Sequence, residues 1–265
     1  MAKVALLGGG VMGETLLSGL LRAGRHAQDV LISERRPERA VQLSERYGVE
    51  VVDSVTAASS AQTLVLIVKP QDMSSLLAEI AGHIKPDTLI ISLAAGITTP
   101  FIESHIPAGT AVVRVMPNTP ALVDEGMAAI SPGCSCDEEH LAEAEALLSA
   151  VGRVIRVPEH QQDAVTAVSG SGPAYVFFVV ESMIEAGVHL GLPRSTATEL
   201  AVQTTFGAAK MLRDTGEHPT VLREQVTSPA GTTAAALREL EKHSVRAAFL
   251  AAMEAARDRS KELGS

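Results

Sequence analysis

The feature that most constrains the fold is a glycine-rich stretch near the start of the chain. An apolar run, Val4–Leu7, ends in Gly8-x-Gly10-x-x-Gly13, and leucines at helical spacing follow. Gly8 permits a tight turn, Gly10 lets a pyrophosphate approach the backbone, and Gly13 lets a helix and a strand pack closely. The N-terminus of that helix then faces the phosphates. A strand, a glycine turn and a helix in this order predict a dinucleotide-binding site.

Strand and helix patterns alternate from this motif up to Pro158. Several of the strand segments are apolar throughout, as strands buried on both faces of a sheet should be. The predicted strands are Val4–Leu7, Val30–Ser33, 49–52, 64–68, Leu89–Ser92, 111–115, 127–130 and 154–157, of which 127–130 is expected at an edge of the sheet. The predicted helices between them are Pro37–Tyr47, 72–83, 98–106 and 138–150. This alternation predicts an α/β Rossmann domain with a doubly wound, mostly parallel sheet.

The pattern changes after Pro158, where helical spacing replaces strands. We therefore predict two domains, a dinucleotide-binding domain over residues 1–158 and an all-α domain over residues 159–265. The helical domain is rich in Ala and Gly, which let helices approach closely. Its apolar surface exceeds what such a small domain can bury by itself, so we expect it to pack against a second copy of the chain.

Composition excludes several functional classes. The net charge of −9 argues against a nucleic-acid partner. No apolar run is expected to reach membrane-spanning length, and Met1 leads into a strand without a signal peptide, so we expect a cytoplasmic protein. Cys134 and Cys136 are too close for an ordinary disulfide and lack the His or Cys pair of a zinc site, so no metal is expected.

Ligands of Rossmann sheets lie beyond the carboxyl ends of the strands. Four predicted strand ends besides the glycine turn carry small or polar residues. These ends are Glu34-Arg35-Arg36, Val68-Lys69-Pro70, Leu93-Ala94-Ala95-Gly96 and Met116-Pro117-Asn118. The small residues around Ala95 and Gly96 leave room for a nicotinamide ribose, although each segment can also be an ordinary turn.

The end of the second strand bears on the choice of cofactor. Glu34 lies where an acidic residue binds a ribose 2′-OH, which favours NAD. Arg35 and Arg36 follow at once, and an arginine there can bind a 2′-phosphate, which favours NADP. Glu34 would repel that phosphate unless its side chain turns away. We favour NADPH, with NADH possible.

Two stretches of the helical domain interrupt its helical pattern. Residues 167–175 contain two glycines and a proline, which predict a break between helices. Residues 226–237 contain Pro229-Ala230-Gly231 followed by Thr232 and Thr233. Free N–H groups and hydroxyls at such a helix start form an anion site. The hydroxyls there are more numerous than one helix cap needs.

Neither stretch contains His, Cys or Lys. An alcohol dehydrogenase needs a base for the hydroxyl proton, whereas a protonated imine mainly needs to be bound and aligned with a hydride donor. The sequence therefore favours imine reduction.

One alternative is a β-hydroxyacid dehydrogenase. Such an enzyme would need a catalytic lysine on the first long helix of the second domain, and residues 159–190 contain no lysine. A second alternative is a non-catalytic NADP sensor, for which the hydroxyls of residues 228–233 would be surplus.

The motifs resemble those of the pyrroline-5-carboxylate reductase family over essentially the whole chain. The matching residues are Gly8-x-Gly10-x-Met12-Gly13, Val68-Lys69-Pro70, Ala95-Gly96-Ile97, Arg114-x-Met116-Pro117-Asn118, Ser169-Gly170-Ser171-Gly172-Pro173-Ala174-Tyr175 and Thr227-Ser228-Pro229-Ala230-Gly231-Thr232-Thr233. Ala230 is a departure, since the family commonly has Gly there. The resemblance implies NAD(P)H-dependent reduction of pyrroline-5-carboxylate to L-proline, in proline biosynthesis.

The resemblance also implies roles for individual residues. The substrate carboxylate is expected at Ser228, Gly231, Thr232 and Thr233, with Thr233 nearest the ring nitrogen as a hydrogen-bond partner and proton relay. The cofactor is expected at Gly8, Gly10, Val11, Met12, Gly13, Arg35, Arg36, Val68, Lys69, Pro70, Ala95, Gly96 and Asn118. The resemblance further implies a homodimer through the helical domain and a possible decamer built of dimers.

Overall fold

An eight-stranded sheet is the centre of the fold. The computed structural model describes residues 3–264. The strand order is β3-β2-β1-β4-β5-β6-β7-β8, and only the β6–β7 pair is antiparallel. The strands are β1 Val4–Leu7, β2 Val30–Ser33, β3 Glu50–Val51, β4 Thr63–Leu66, β5 Leu89–Ser92, β6 Ala111–Met116, β7 Gly126–Pro132 and β8 Gly152–Arg156. The prediction of a doubly wound, mostly parallel sheet is confirmed.

Helices cover both faces of the sheet, and the chain after β8 contains helices without further strands in its described residues. Those of the alternating part are α1 Val11–Arg22, α2 Pro37–Tyr47, α3 Ser54–Ser60, α4 Met73–Ile80, α5 Thr99–Glu103 and α6 Glu138–Leu148. The later helices are α7 Gln162–Val165, α8 Gly172–His189, α9 Arg194–Thr215, α10 Pro219–Gln225, α11 Thr232–Lys242 and α12 Val245–Leu263. Short 3-10 turns include Pro70–Asp72 and Thr119–Val123, and a π-helical turn spans Thr166–Gly170.

The core lies on the two faces of the sheet. Alternate residues of β1 point to opposite faces, with Val4 and Leu6 in one apolar cluster and Ala5 and Leu7 in the other. All four side chains are buried, because helices cover both faces. This double burial is the reason that β1 is apolar throughout.

Two elements differ from the sequence-based expectation. The strand expected at an edge, β7, lies between β6 and β8. It runs antiparallel to β6 and parallel to β8, so the last strand of the domain, β8, occupies the edge instead. Helix α3 follows β3 and was missed because it is short and consists mostly of Ser and Ala.

The chain divides into two compact units. The first contains the described residues up to Ser171 together with those from Ala256 onward, and the second is Gly172–Ala255. In the second unit α8 and α9 pack closely, since a Cβ on Gly187 would lie 2.9 Å from the Cβ of Ala197. The predicted domain boundary after residue 158 stays a prediction.

One helical run, Glu159–His189, is long and apolar enough to cross a membrane by length and composition alone. Its most apolar window has a mean hydropathy of 1.3, and 6% of that window is buried. The expectation that no apolar run reaches such a length is therefore wrong. The run is interrupted by the π-turn and by a bend at Ser171, where a break between helices was predicted from the glycines and the proline.

Candidate functional site

A cavity of about 810 Å³ opens at the carboxyl ends of β1, β2 and β4. This position is where Rossmann sheets bind dinucleotides, and the volume suits a ligand of that size. The predicted cofactor residues that line the cavity are Gly8, Gly10, Val11, Arg35, Arg36, Val68 and Lys69. Glu14, Ser33, Glu34, Arg39 and Ser54 also line it. The cavity is therefore rich in arginine and lies against the glycine turn.

The glycine turn has the geometry that a pyrophosphate needs. Gly8 has φ +128°, and a Cβ there would overlap the carbonyl of Ile67. A Cβ on Gly13 would overlap the carbonyl of Gly8, so the backbone of α1 packs directly against the backbone of the turn. At Gly10, by contrast, a Cβ would meet no described atom within 4 Å. The space beside Gly10 is thus open to a ligand at the N-terminus of α1, and the residues present fit a dinucleotide.

The carboxylate of Glu34 is turned towards the protein. Its Oε2 accepts the Gly9 N–H at 3.1 Å, and its Oε1 accepts Nε of Arg36 at 3.0 Å. Burial acts to raise the pKa of Glu34, but the hydrogen bonds from Arg36 and the Gly9 N–H outweigh it and hold that pKa below its usual range. The side chain of Glu34 is 7% exposed, whereas that of Arg36 is 67% exposed.

Arg35 is the second predicted cation at this end of the cavity. Its guanidinium lies 3.8 Å from the carboxylate of Glu79, and both side chains are largely exposed. A pair of this kind contributes little to stability. The guanidinium of Arg35 is therefore available to an anionic group of a ligand at little energetic cost.

The predicted anion site is the start of α11, in the second unit. Gly231 is the N-cap residue, and among the described residues it has no side-chain cap. The Gly231 N–H donates to the Ser228 carbonyl at 3.0 Å, so Ser228 to Gly231 form a tight turn before Thr232 and Thr233. Ala230 in this turn has φ +57°. Uncapped N–H groups beside hydroxyls are what the anion site requires.

Comparison with known proteins decides the family. Residues 159–263 match the sequence profile for pyrroline-5-carboxylate reductase dimerisation, and residues 3–96 match the one for coenzyme F420-dependent NADP oxidoreductases. The pyrroline-5-carboxylate reductase of Corynebacterium melassecola is 47% identical over 100% of this chain and 99% of its own length. That of Mycobacterium tuberculosis is 46% identical over 99% of this chain and 97% of its own length.

The chain belongs to the pyrroline-5-carboxylate reductase family. It is an NAD(P)H-dependent oxidoreductase.

Solved structures agree with this family. A pyrroline-5-carboxylate reductase from Coxiella burnetii has a TM-score of 0.96 and 36% identity, covering 100% of this chain and 99% of its own. The pyrroline carboxylate reductase of Plasmodium falciparum, solved with NADP bound, has a TM-score of 0.88 and 29% identity, covering 100% of this chain and 98% of its own. The two-part fold is thus that of the reductase family.

Two further predicted cofactor residues, Met12 and Asn118, line a second, much smaller cavity. The amide of Asn118 is engaged by the protein. Its Nδ2 donates to the carbonyl and to Oγ of Ser169, each at 3.2 Å, and its Oδ1 accepts the Met127 N–H at 2.8 Å. Asn118 therefore links the end of β6 to the π-turn, and its role towards a cofactor stays a prediction.

The remaining predicted cofactor residues line neither cavity described above. They are Gly13, Pro70, Ala95 and Gly96. Gly96 lies against the C-terminal end of α12, because a Cβ on it would be 3.1 Å from the Leu263 carbonyl. Pro70 begins a 3-10 turn directly after Lys69. Their contacts with a cofactor stay predictions.

Sequence reasoning missed several polar residues of the cavity. Arg39 donates from Nε to the Gly9 carbonyl at 2.9 Å and from Nη2 to Glu14. Ser33 and Ser54 lie side by side, with 3.2 Å between their hydroxyl oxygens. The only sequence signal that Arg39 belongs to the cavity was its place three residues after Arg36. That spacing is also common on solvent-exposed helices.

The described residues form no candidate metal site. In the range 3–264, no group of three or more His, Cys, Asp or Glu side chains is placed to hold a metal ion. Cys134 and Cys136 are free thiols. Burial raises the pKa of Cys136, whose Sγ donates to the Val112 carbonyl at 3.0 Å. The expectation of an enzyme without a metal stays a prediction.

Proposed function

We propose that this protein reduces L-1-pyrroline-5-carboxylate to L-proline with NAD(P)H, the last step of proline biosynthesis. The observation that carries the proposal is identity of 47% over the full length of a pyrroline-5-carboxylate reductase. The similarity covers the glycine turn as well as the helical part. We further propose the cytoplasm as its location.

The glycine turn and the arginines would hold the cofactor. Gly8, Gly10, Val11, Met12 and Gly13 would bind the pyrophosphate through the backbone at the start of α1. Val68, Lys69, Pro70, Ala95, Gly96 and Asn118 would line the rest of the dinucleotide. When bound, the reduced nicotinamide would supply the hydride that the imine carbon of the substrate accepts.

NADPH is the proposed preferred cofactor, with NADH as a possible second. Arg35 and Arg36 line the cavity, and the Glu34 carboxylate is occupied by Gly9 and Arg36. A guanidinium can bind the 2′-phosphate in a bidentate manner. Replacing Arg35 and Arg36 together by Gln should raise the KM for NADPH more than the KM for NADH. Equal effects on the two constants would argue against the preference.

The start of α11 would bind the substrate. Ser228, Gly231, Thr232 and Thr233 would hold its carboxylate through hydroxyls and N–H groups. Thr233 would lie nearest the ring nitrogen, as a hydrogen-bond partner and possible proton relay. The protein would then act mainly by alignment, because a protonated imine is already electrophilic.

A substitution of Thr233 tests this role. Thr233→Ala should lower kcat by about a hundredfold, the usual size for a group that assists proton transfer, while the Kd for NADPH stays unchanged. Thr215→Ala is the matched control, because the Thr215 hydroxyl donates to the Met211 carbonyl within its own helix. Unchanged turnover of Thr233→Ala would remove the role assigned to Thr233.

The proposed assembly is a homodimer through the helical domain, extended in a possible decamer. The dimerisation profile over residues 159–263 supports the dimer. It also supports a second chain, rather than a membrane, as the cover of the apolar run Glu159–His189. The proposed domains are residues 1–158 and 159–265, and the start of that profile at residue 159 supports this boundary.

The first experiment measures oxidation of NADPH, and then of NADH, in the presence of pyrroline-5-carboxylate. Turnover and formation of L-proline are expected, with the faster rate for NADPH. A folded protein that binds NADPH but turns over neither cofactor with this substrate would refute the proposed reaction. Activity on other cyclic imines would then be measured with the same assay.

A further inference from the structure

The backbone N–H and the backbone carbonyl of Gly9 are both hydrogen-bonded to side chains from the segment that follows β2. The Gly9 N–H donates to Oε2 of Glu34 at 3.1 Å, and Nε of Arg39 donates to the Gly9 carbonyl at 2.9 Å. Gly9 lies inside the Gly8–Gly13 turn, whereas Glu34 and Arg39 lie 25 and 30 residues further along the chain. We call Glu34, Gly9 and Arg39 the Gly9 clamp.

The two side chains of the clamp are themselves fixed. Oε1 of Glu34 accepts the backbone N–H of Arg36 at 2.9 Å and its Nε at 3.0 Å. Nη2 of Arg39 donates to Glu14. Glu14 also accepts Nη1 of Arg46 at 3.0 Å and the hydroxyl of Tyr47 at 2.9 Å. Both partners of Gly9 are therefore oriented by contacts within the protein.

The clamp brings the turn against α2. A Cβ on Gly9 would lie 2.6 Å from Cδ1 of Leu43 and 3.0 Å from Oε2 of Glu34. Leu43 is buried. A turn held at this distance by one carboxylate and one guanidinium cannot move away from α2 without losing charge-assisted hydrogen bonds.

We propose that Glu34 and Arg39 are positioning residues, which hold the Gly8–Gly13 turn in its phosphate-binding shape before the cofactor binds. The inference rests on the proposed function, since it assumes a nicotinamide dinucleotide in the cavity. The pyrophosphate is common to NADPH and NADH, so the clamp acts equally on both. The choice between the two cofactors then rests on Arg35 and Arg36, and the Glu34 carboxylate is not a ligand of the ribose.

Calorimetric titration of the full-length protein with NADPH and with NADH tests the inference. Arg39→Met should weaken the binding of both cofactors by the same factor of about ten, as expected for loss of a charge-assisted hydrogen bond that shapes the site. The kcat at saturating cofactor should change little. Arg46→Met is the matched control, because Arg46 also pairs with Glu14 but does not contact Gly9. It should leave both dissociation constants within about twofold.

Hydrogen exchange of the cofactor-free protein gives a second readout. Arg39→Met and Glu34→Ala should both speed amide exchange in the peptide that contains Gly8–Gly13, whereas exchange in β4 and β5 stays unchanged. Arg39→Lys serves if Arg39→Met does not fold. Lysine keeps the charge beside Glu14 but lacks the planar fork that reaches two acceptors at once, so it should weaken both cofactors in the same direction by a smaller factor.

Three results would overturn the inference. Weaker binding of NADPH alone in Arg39→Met would make Arg39 a ligand of the 2′-phosphate. Unchanged binding of both cofactors, or unchanged exchange in the glycine turn, would make the clamp dispensable. These results differ from failure of the proposed function, which is loss of pyrroline-5-carboxylate turnover by wild-type protein that still binds NADPH.

Discussion

Ala230 has a backbone conformation that residues with a side chain rarely adopt. Its φ is +57°, in the turn between Ser228 and Gly231. The left-handed region costs an L-residue roughly 1–2 kcal/mol and costs glycine nothing. Glycine loses more entropy on folding, which offsets roughly 0.5–1 kcal/mol of that difference. The family's usual glycine at this position therefore has a physical reason.

We expect Ala230→Gly to raise the free energy of unfolding by about 0.5–1 kcal/mol. Urea unfolding followed by circular dichroism measures this change at fixed protein concentration. Ala235→Gly, inside α11, is the control and should lower stability by a similar amount. A destabilised Ala230→Gly would mean that the turn is not strained at residue 230.

Gly10 and Gly13 share one motif but should fail in different ways. A Cβ on Gly10 would enter open space, whereas one on Gly13 would overlap the carbonyl of Gly8. Gly10→Ala should keep the melting temperature and weaken NADPH binding about tenfold or more, because the methyl group occupies the approach of the pyrophosphate. Gly13→Ala should lower stability by roughly 1–3 kcal/mol. Thermal unfolding and calorimetric titration of both variants check this contrast, and equal melting temperatures would contradict it.

The sequence predicted the residues of the site that belong to local motifs. Gly8, Gly10 and Val11 do line the cavity, because the turn in which they lie follows directly after β1. The partners of Gly9 were not predictable in the same way. Glu34 and Arg39 reach Gly9 only because β1 and β2 are neighbours in the sheet, and a contact across 25 or more residues leaves no mark in local spacing.

At the scale of elements, Glu14 joins α1 to α2. It accepts hydrogen bonds from Arg39, Arg46 and Tyr47, all of which belong to α2. The hydrogen bond from Arg39 is the main cause that lowers the pKa of Glu14 below its usual value, and burial opposes it. A carboxylate with a lowered pKa in the folded state stabilises the fold above its unfolded-state pKa.

Replacing Glu14 by Gln should therefore lower stability at neutral pH by about 1 kcal/mol, as for a charge-assisted hydrogen bond in a half-buried site. The deficit should shrink as the pH falls below the unfolded-state value of about 4.3 and on through the lower folded-state pKa, because wild-type Glu14 then becomes protonated as well. Urea unfolding of both proteins from pH 7 down to the acid limit measures the difference. A deficit that does not change with pH would mean that the charge of Glu14 is not responsible.

It was easier to predict which segments form strands than to predict which strands lie next to one another in the sheet. Apolar runs predicted the strands, and their burial on both faces is confirmed for β1, β4 and β5. The predicted position of β7 at an edge of the sheet was wrong, because the composition of a strand indicates how buried it is but not which strands it pairs with. An interior strand that runs antiparallel to β6 reads in the sequence like an edge strand, since β7 contains two alanines and ends in a proline.

At the scale of the whole molecule, the second unit lacks the apolar core that the first unit has. In its described residues the buried apolar side chains are only Ala197 and Ala201. Four of the five phenylalanines of the chain are exposed there, at positions 177, 178, 206 and 249. An exposed apolar surface of this extent marks an interaction site. The sequence predicted this surplus from composition, whereas the partner follows from the dimerisation profile.

Phe178 offers the sharpest test of that partner. Its side chain is 69% exposed in the single chain, and burying a phenylalanine in an interface stabilises it by about 2–3 kcal/mol. Phe178→Asp should weaken dimerisation at least about a hundredfold, because it removes this burial from both subunits and introduces a charge. Sedimentation equilibrium over a range of concentrations measures the dissociation constant.

Val41→Asp is the control for this experiment, since Val41 is 54% exposed on α2 of the other unit. The Val41→Asp substitution should leave the dimer intact. A Phe178→Asp protein that stays fully dimeric at nanomolar concentration would show that α8 does not bury this residue against the second chain.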